Sequence, residues 1–403
     1  MRVLLALATR TARARPLRWA LVTALLGLFL LTPSASAHVR WFTPEPNRGI
    51  ERSEIFSGVT LLALAAIVAT IGGAWLAQRL VTRLRLAARA RVLTAPLLGR
   101  LALGLPRPAD MYPWIAAVLA LHTAAILFVR GVERQLFTPN MALPYTLAGG
   151  GLALLEIVVA FTLVGGIVVG ALTRPAAIGL ATLGVLGMFY FGPLLVTEHV
   201  YFFGIAACLF IAGRGPGATE RVLHGPGKPL ARLLPYAIPA LRVSFGVATI
   251  ITGFTEKLWD RGLGLDFLAT HPFNVTAATP VPLTDAQFVI GAGLAEVSLG
   301  ALLVTGLFPR LAILAAWVPF NLAVPFLGVA DVLGHLPIYG ILLTILLCGN
   351  GAGFAATLRR ETEPRRAART PQPLPQVARV LSPAAAVGVA CSPDTLPRAD
   401  RVG

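Results

Sequence analysis

The sequence is poor in charged residues. Asp, Glu, Lys and Arg make up 13% of its 403 residues, whereas soluble domains average about 25%. Acidic residues are the scarcer kind, with 18 Asp and Glu against 34 Lys and Arg. Because 56% of the residues are hydrophobic and the mean hydropathy is +0.76, the composition excludes an ordinary soluble domain and indicates a protein of the lipid bilayer.

Motifs for several chemistries are also missing. The three cysteines, Cys208, Cys348 and Cys391, form neither a Cys-x-x-Cys pair nor a zinc-binding spacing. The chain has no phosphate-binding glycine loop, no Cys-x-x-Cys-His haem motif and no nucleophile elbow. We predict no metal site, and we interpret Cys208 and Cys348, near predicted inner helix ends, as inert buried thiols.

The N-terminus has the three parts of a secretory signal. Five arginines precede an apolar run over residues 19–31, which Thr-Pro-Ser-Ala-Ser-Ala follows. This order predicts a signal peptide over residues 1–37, cleaved after Ala37; the alternative is an uncleaved signal anchor. Both place His38 on the outer side.

After cleavage, the amine and ring of His38 are able to chelate copper, whereas the plainer alternative is an interfacial segment around Trp41.

Apolar segments of membrane-spanning length recur along the rest of the chain. A helix of about 20 apolar residues crosses the hydrocarbon core of a bilayer. We therefore predict an all-α fold, a polytopic transmembrane helical bundle of about nine helices. The predicted helices are 55–77, 113–130, 146–172, 175–196, 199–213, 236–255, 286–306, 309–328 and 336–349.

The positions of the cations predict the topology of this bundle. Seven of the 34 Lys and Arg residues fall in segments on the same side as His38, and most of the others fall on the opposite side. Lys and Arg concentrate in cytoplasmic segments of membrane proteins. We predict an N-terminus outside and a C-terminus in the cytoplasm. The net charge of +16 then reflects topology, so the predicted partner is the lipid bilayer and not nucleic acid.

The chain also contains a predicted parallel repeat of a four-helix unit. Residues match in order at offsets of 136 and 122: Arg174 with Arg310, His199 with His335, and Gly131 with Gly253. Glu156 and Glu296 each follow a glycine-rich run, and both units begin inside. The predicted regions are a signal peptide (1–37), an outer segment with the first transmembrane helix and a basic cytoplasmic loop (38–112), a diverged first unit (113–213), a second unit (235–350) and a disordered cytoplasmic tail (351–403).

Ionisable residues inside predicted helices are the candidate site. Glu296 lies near the middle of a helix, where an ionised carboxylate costs about 3 kcal/mol or more. Arg242 is its candidate partner, and we assign both as candidate catalytic residues. The first unit places Glu156 and His122 at comparable depths, as a second pair and as candidate ligand-binding residues. The functional interpretation is a proton-carrying carboxylate or contacts to a quinone head group; the alternative is a clamp between helices.

Two histidines and an outer loop extend this candidate site. His199 and His335 begin the fourth helix of each unit, where imidazole suits a hydrogen bond to a quinone carbonyl or a proton shuttle. The alternative is a purely structural role, in which the ring nitrogens of each histidine are hydrogen-bonded within the bundle. The outer loop over residues 256–285 is long for a compact bundle and is predicted to cover a binding site. Lys257 in this loop joins both histidines as a candidate ligand-binding residue.

The second unit resembles a known family. The pattern is Leu241-Arg242…Gly246…Gly253-Phe…Glu256-Lys257, then Gly293-Leu-Ala-Glu296…Gly300…Gly306-Leu…Arg310. It resembles the DoxX-like small four-helix membrane proteins over residues 235–350 and, more faintly, over 113–213. That family and its relatives include the membrane subunit of an archaeal thiosulfate:quinone oxidoreductase.

The resemblance implies a bacterial inner-membrane protein that works beside quinones and with membrane or periplasmic redox proteins. By position it makes Arg242, Lys257 and Glu296 the family-like polar residues. The first unit departs from the pattern, because no arginine matches Arg242 and the outer loop is short. We therefore expect any activity in the second unit.

Three functions stay open. The leading hypothesis is an accessory membrane subunit of a quinone-linked oxidoreductase, with quinone as the candidate cofactor. The second is a proton-coupled transporter of small solutes, since parallel repeats and midplane carboxylates occur in transporters. The third is a non-catalytic membrane scaffold, in which the basic stretch 79–91 and the tail recruit partners.

Overall fold

The computed structural model describes residues 40, 55, 57–84, 108–213, 215, 227–322 and 329–362, and over these residues the chain is helical without a strand. The prediction of an all-α fold is confirmed. The predicted signal peptide, His38, Trp41, Cys391 and the tail beyond residue 362 lie outside the described residues. So does most of the predicted basic loop.

Helices of ten or more residues form the bundle. They are α1 (Gly58–Arg83), α2 (Ile115–Val132), α3 (Leu147–Val168), α4 (Thr173–Phe191), α5 (Tyr201–Ala212), α6 (Leu234–Gly253), α7 (Arg261–Thr270), α8 (Asp285–Thr305), α9 (Pro309–Leu322), α10 (Leu336–Cys348) and α11 (Ala352–Thr362). Shorter helical pieces are Pro108–Met111, Tyr112–Trp114, Gly170–Leu172, Pro193–Thr197, Phe254–Leu258, Val275–Ala278 and Val329–Gly334.

The ends of α8 show how the sequence sets these bounds. The hydroxyl of Thr284 accepts from the backbone N–H of Gln287 at 3.3 Å, and the Gln287 side chain accepts from the Thr284 N–H at 2.9 Å. This reciprocal capping box satisfies two donors that the first turn leaves without helical partners. Gly306 ends the helix at φ +74°, a left-handed conformation that glycine adopts without strain.

The protein is a multi-pass membrane protein. Helices occupy most of the described part of each of the nine predicted segments, although 146–172 is interrupted at Val169 and 175–196 at Gly192. Among the described residues, six helices are long and apolar enough to cross a bilayer individually. These six are Gly58–Arg83, Tyr112–Val132, Leu147–Val168, Gly170–Phe191, Leu234–Leu258 and Asp285–Thr305. The helices α5 and α9 are shorter, while α10 and α11 pass the same test as a pair bent by 84°.

The structure corrects the start of the predicted disordered tail, because residues 352–362 form α11. Phe354, Ala355 and Leu358 are buried, and the Phe354 ring meets Tyr112 edge-on at 6.0 Å. Residues four apart share one face of a helix, so Phe354 and Leu358 form an apolar stripe. The Pro-, Ala- and Arg-rich composition that predicted disorder belongs to the residues after this stripe.

Equivalent contacts recur in the two four-helix units, α2–α5 and α6 with α8–α10. Two matched glycines allow close approach of neighbouring helices: Gly131 faces Ala153 and Ile157 of α3, and Gly253 faces Gly293 and Val297 of α8. The contacted positions differ by 140 residues in both cases. Glu156 of α3 and Glu296 of α8 therefore occupy equivalent positions.

Two arginines repeat a second contact. Arg174 donates from Nε to the carbonyl of Phe210 at 3.2 Å, and Arg310 donates from Nε to the carbonyl of Leu346 at 2.9 Å. Donor and acceptor are both displaced by 136 residues, the offset that the sequence predicts. Each arginine thereby satisfies a carbonyl near the end of the fourth helix of its own unit.

The two units pack reciprocally. The last helix of the first unit, α5, packs against the first helix of the second, α6; likewise α10 packs against α2. Gly204 on α5 faces Ser244, and Gly340 on α10 faces His122. Both glycines and both contacted residues are related by the predicted offsets of 136 and 122, so the parallel repeat is present in the fold.

Helix α1 stands outside this repeat and packs on α8 of the second unit. Its Ala63 joins Phe254, Leu258 and Val297 in an apolar cluster, while most of its other residues are exposed. We call this group the α1–α8 cluster. Its α8 member, Val297, directly follows Glu296, and in the described residues the first unit has no corresponding helix.

Candidate functional site

The candidate site is built where α6 widens into a π-helix, Phe254–Leu258, at the predicted outer end of the bundle. Single π-turns within α-helices are uncommon and often mark functional sites. Here the wider turn buries both Thr255 and Glu256. It also directs Lys257 toward α8, so that three consecutive polar side chains enter the bundle.

Lys257 pairs with Glu296. Its Nζ lies 3.0 Å from Glu296 Oε2 and 3.7 Å from Glu256 Oε2. The Glu256 side chain is 1% exposed and the Glu296 side chain 32%. One ammonium therefore serves two carboxylates, one of which is reachable from outside the bundle.

Arg40 continues these contacts into the first unit. Its Nε lies 3.4 Å from Glu198 Oε1 and 3.9 Å from Glu256 Oε1, and its Nη2 donates to the carbonyl of Thr255 at 3.1 Å. The Thr255 hydroxyl donates to Glu198 Oε1 at 2.7 Å. Arg40 thus lies between an acid that precedes α5 and an acid that follows α6.

We call Arg40, Glu198, Glu256, Lys257 and Glu296 the outer cluster. Arg40, Glu198 and Glu256 are almost fully buried. Removing one partner of a buried ion pair typically costs about 3–5 kcal/mol, because the other charge is left desolvated. The cluster therefore joins the two units and fixes the position of Lys257.

The predicted pair of Arg242 and Glu296 does not form. Arg242 donates from Nη1 to the carbonyls of Leu303 and Val304, the latter at 3.2 Å, and so caps the last turn of α8. Its guanidinium also lies against Gly306. Glu296 is seven residues before Leu303, about 10 Å along the helix, so the two side chains lie at different levels.

The predicted pair of Glu156 and His122 does not form either. Glu156 is fully buried, and its Oε1 accepts from the backbone N–H of Phe137 at 3.0 Å. His122 places Nδ1 2.8 Å from the carbonyl of Val118 and packs against Gly340. Glu156 thus holds the turn after α2, whereas His122 faces the other unit. In the first unit, the acid equivalent to Glu296 binds backbone and not a lysine.

The two predicted histidines lie at the starts of α5 and α10. His199 is buried, with Nδ1 3.3 Å from the carbonyl of Leu195, and its ring lies 6.0 Å from that of Tyr201. His335 is buried against the ring of Phe320, at 4.8 Å between centroids. Among the described residues, no group of three or more His, Cys, Asp and Glu side chains is arranged to hold a metal ion.

The long outer loop is helical and packs beside the pair of Lys257 and Glu296. Asp260 caps α7 by accepting from the Leu263 N–H at 3.0 Å. Trp259 donates from its indole to the Thr60 hydroxyl at 2.9 Å, and its ring lies 4.8 Å from that of Phe254. Leu258 and Val297 of the α1–α8 cluster directly follow Lys257 and Glu296 in sequence, so the pair lies at the edge of this cluster.

No family model matches the chain, and no curated protein or solved structure matches it. The DoxX-like resemblance therefore rests on the sequence pattern described above, over residues 235–350 and more faintly over 113–213.

Sequence reasoning missed four site residues: Arg40, Glu198, Thr255 and Glu256. Glu198 is adjacent to the predicted His199, so an acid at the end of an apolar segment was a usable signal. Arg40 precedes Thr255 by 215 residues and belongs to no helix of the repeat, so no spacing connects it to the site.

Proposed function

We propose that this protein is a bacterial inner-membrane, DoxX-like accessory subunit of a quinone-linked redox system, with its N-terminus outside. The observation that carries the proposal is the pair of Lys257 and Glu296 at the edge of the α1–α8 cluster. A polar pair beside an apolar and aromatic wall suits a head group with carbonyl oxygens on an apolar ring.

The residues present fit a quinone in three respects. Lys257 offers ammonium protons to a carbonyl oxygen, and Glu296 is a carboxylate that can hold a proton next to it. Trp259 is half-buried, packs on Phe254, and offers a ring against which a flat head group can stack. The partial exposure of Glu296 gives access from outside the bundle.

Glu256 lies on the buried side of the same ammonium. It shares Lys257 with Glu296, so a second carboxylate stands 3.7 Å from the Nζ that Glu296 contacts at 3.0 Å. A quinone takes up two electrons and two protons on reduction to the quinol. Glu296 would pass protons to or from the head group, and a partner redox protein would supply the electrons.

The test is bound quinone in the full chain, purified in mild detergent and extracted for quantification. We expect wild type to retain quinone and Glu296→Gln or Lys257→Met to lose most of it. Glu156→Gln is the matched control, because it changes the equivalent acid of the first unit and keeps an oxygen for the Phe137 N–H. Absence of quinone from wild type, or retention by Glu296→Gln, contradicts the proposal.

A proton-coupled transporter is the second candidate, favoured by the parallel repeat and by the equivalent acids Glu156 and Glu296 within its helices. This function predicts solute uptake into proteoliposomes that collapses in both Glu156→Gln and Glu296→Gln. Of these two variants, the redox proposal predicts that only Glu296→Gln lowers the content of bound quinone. A third outcome, with neither quinone nor uptake but stable co-purifying neighbours, would favour the scaffold.

A further inference from the structure

A basic groove lies at the predicted inner end of the bundle, opposite the outer cluster. It has a volume of about 490 Å³, and its lining residues are Trp75, Gln78, Arg79, Thr82, Arg83 and Leu307. The first five lie on the last three turns of α1, and Leu307 follows the C-terminus of α8. The groove therefore spans the junction of α1 with the second unit.

The polar residues of this groove suit a phosphate. Arg79 and Arg83 are four residues apart and so project from the same face of α1. Guanidinium groups bind phosphate oxygens through paired N–H donors. Gln78 adds amide donors beside them, and none of the described residues that line the groove is acidic.

The apolar surroundings of the groove show which phosphate compound fits. Leu76 and Leu80 are 63% and 52% exposed on α1, so an apolar surface of the spanning helix runs up to the two arginines. The Arg79 guanidinium lies 4.0 Å from the centre of the Trp75 ring, which places an aromatic ring at the same level. Tryptophan and arginine at the end of an apolar span are typical of the headgroup region.

We propose that this groove binds the headgroup of an anionic phospholipid. The phosphate lies between Arg79 and Arg83, and the acyl chains lie along the exposed leucines of α1. The lipid thereby bridges α1 and the turn after α8, which are otherwise joined through the α1–α8 cluster. This proposal is independent of the function of the outer cluster.

The test compares lipids of equal chain length on the full chain in detergent. Native mass spectrometry would measure retention of phosphatidylglycerol against phosphatidylcholine. A basic side chain near an anionic surface contributes about 1 kcal/mol, so two should give a preference of about 30-fold. We expect the double variant Arg79→Gln, Arg83→Gln to lose this preference.

The matched control is Arg232→Gln with Arg360→Gln, which removes the same charge from exposed arginines outside the groove. We expect this control to keep the wild-type preference. An unchanged preference in the double groove variant, or an equal loss in the control, overturns the proposal. Displacement of the lipid by millimolar inorganic phosphate would also overturn it, because the site would then bind a soluble anion.

Discussion

Replacing Lys257 with methionine should lower the free energy of unfolding by about 2 kcal/mol. Breaking a fully buried ion pair costs about 3–5 kcal/mol, whereas an exposed pair contributes about 0–1 kcal/mol. Lys257 serves Glu256, whose side chain is 1% exposed, and Glu296, whose side chain is 32% exposed. The expected value therefore lies between the two limits. Methionine keeps the length and the apolar stem of lysine, so the lost charge dominates the change.

A double-mutant cycle separates the ion pair from other effects of this substitution. Lys257→Met, Glu296→Gln and their combination would be unfolded in mixed micelles with increasing sodium dodecyl sulfate, and helix content would be followed by circular dichroism. Residues in contact show coupling energies of about 0.5–3 kcal/mol. We expect a coupling near 1 kcal/mol, because Glu256 retains part of the interaction.

The control for this cycle is Lys228→Met, which removes an exposed lysine at the predicted inner end. Its free energy of unfolding should stay within about 0.5 kcal/mol of wild type. A coupling below about 0.3 kcal/mol would mean that Lys257 and Glu296 contribute independently. That result would refute the reasoning that the pair is a structural unit of the site.

Further substitutions test the contacts that position the site. Arg242→Gln should cost about 1.5–3 kcal/mol in detergent unfolding, because it removes a charged donor from two carbonyls of α8, and should leave quinone content unchanged. Thr255→Val should cost about 1 kcal/mol by the same assay, since Glu198 loses a buried hydroxyl donor. Gly204→Ala should cost about 1–3 kcal/mol, because its new methyl group would overlap Ser244 of α6. The equivalent Gly340→Ala should cost less than about 0.5 kcal/mol, because the atom nearest to its new methyl group lies 3.4 Å away. Equal costs for the two alanine variants would contradict the closer approach of α5 to α6 than of α10 to α2 at these glycines.

The helices and the repeat were predictable because they depend on patterns that run along the chain. Apolar segments of spanning length leave the backbone few alternatives to a helix in a bilayer. The repeat was visible because structural arginines and glycines, such as Arg174 and Arg310, recur at fixed offsets. These residues satisfy backbone carbonyls or permit close helix approach, and both needs are the same in each unit.

The polar partners were not predictable in the same way. Successive residues of a helix are rotated by about 100° about its axis. A small error in the predicted rotation of a helix therefore assigns a side chain to the wrong neighbour. Arg242 and Glu296 occupy neighbouring helices, yet Arg242 meets the end of α8 and Glu296 meets Lys257 instead. The π-helix that turns Lys257 inward has no sequence pattern of its own.

The central claim is that a quinone head group binds beside the pair of Lys257 and Glu296. The most direct measurement is photolabelling of the full chain in detergent with a quinone that carries a photoreactive group on its ring, followed by peptide mapping. We predict labels within residues 254–259 and 289–297, and their loss in Glu296→Gln but not in Glu156→Gln. Labels confined to other parts of the chain, or equal labelling of both variants, would contradict the claim.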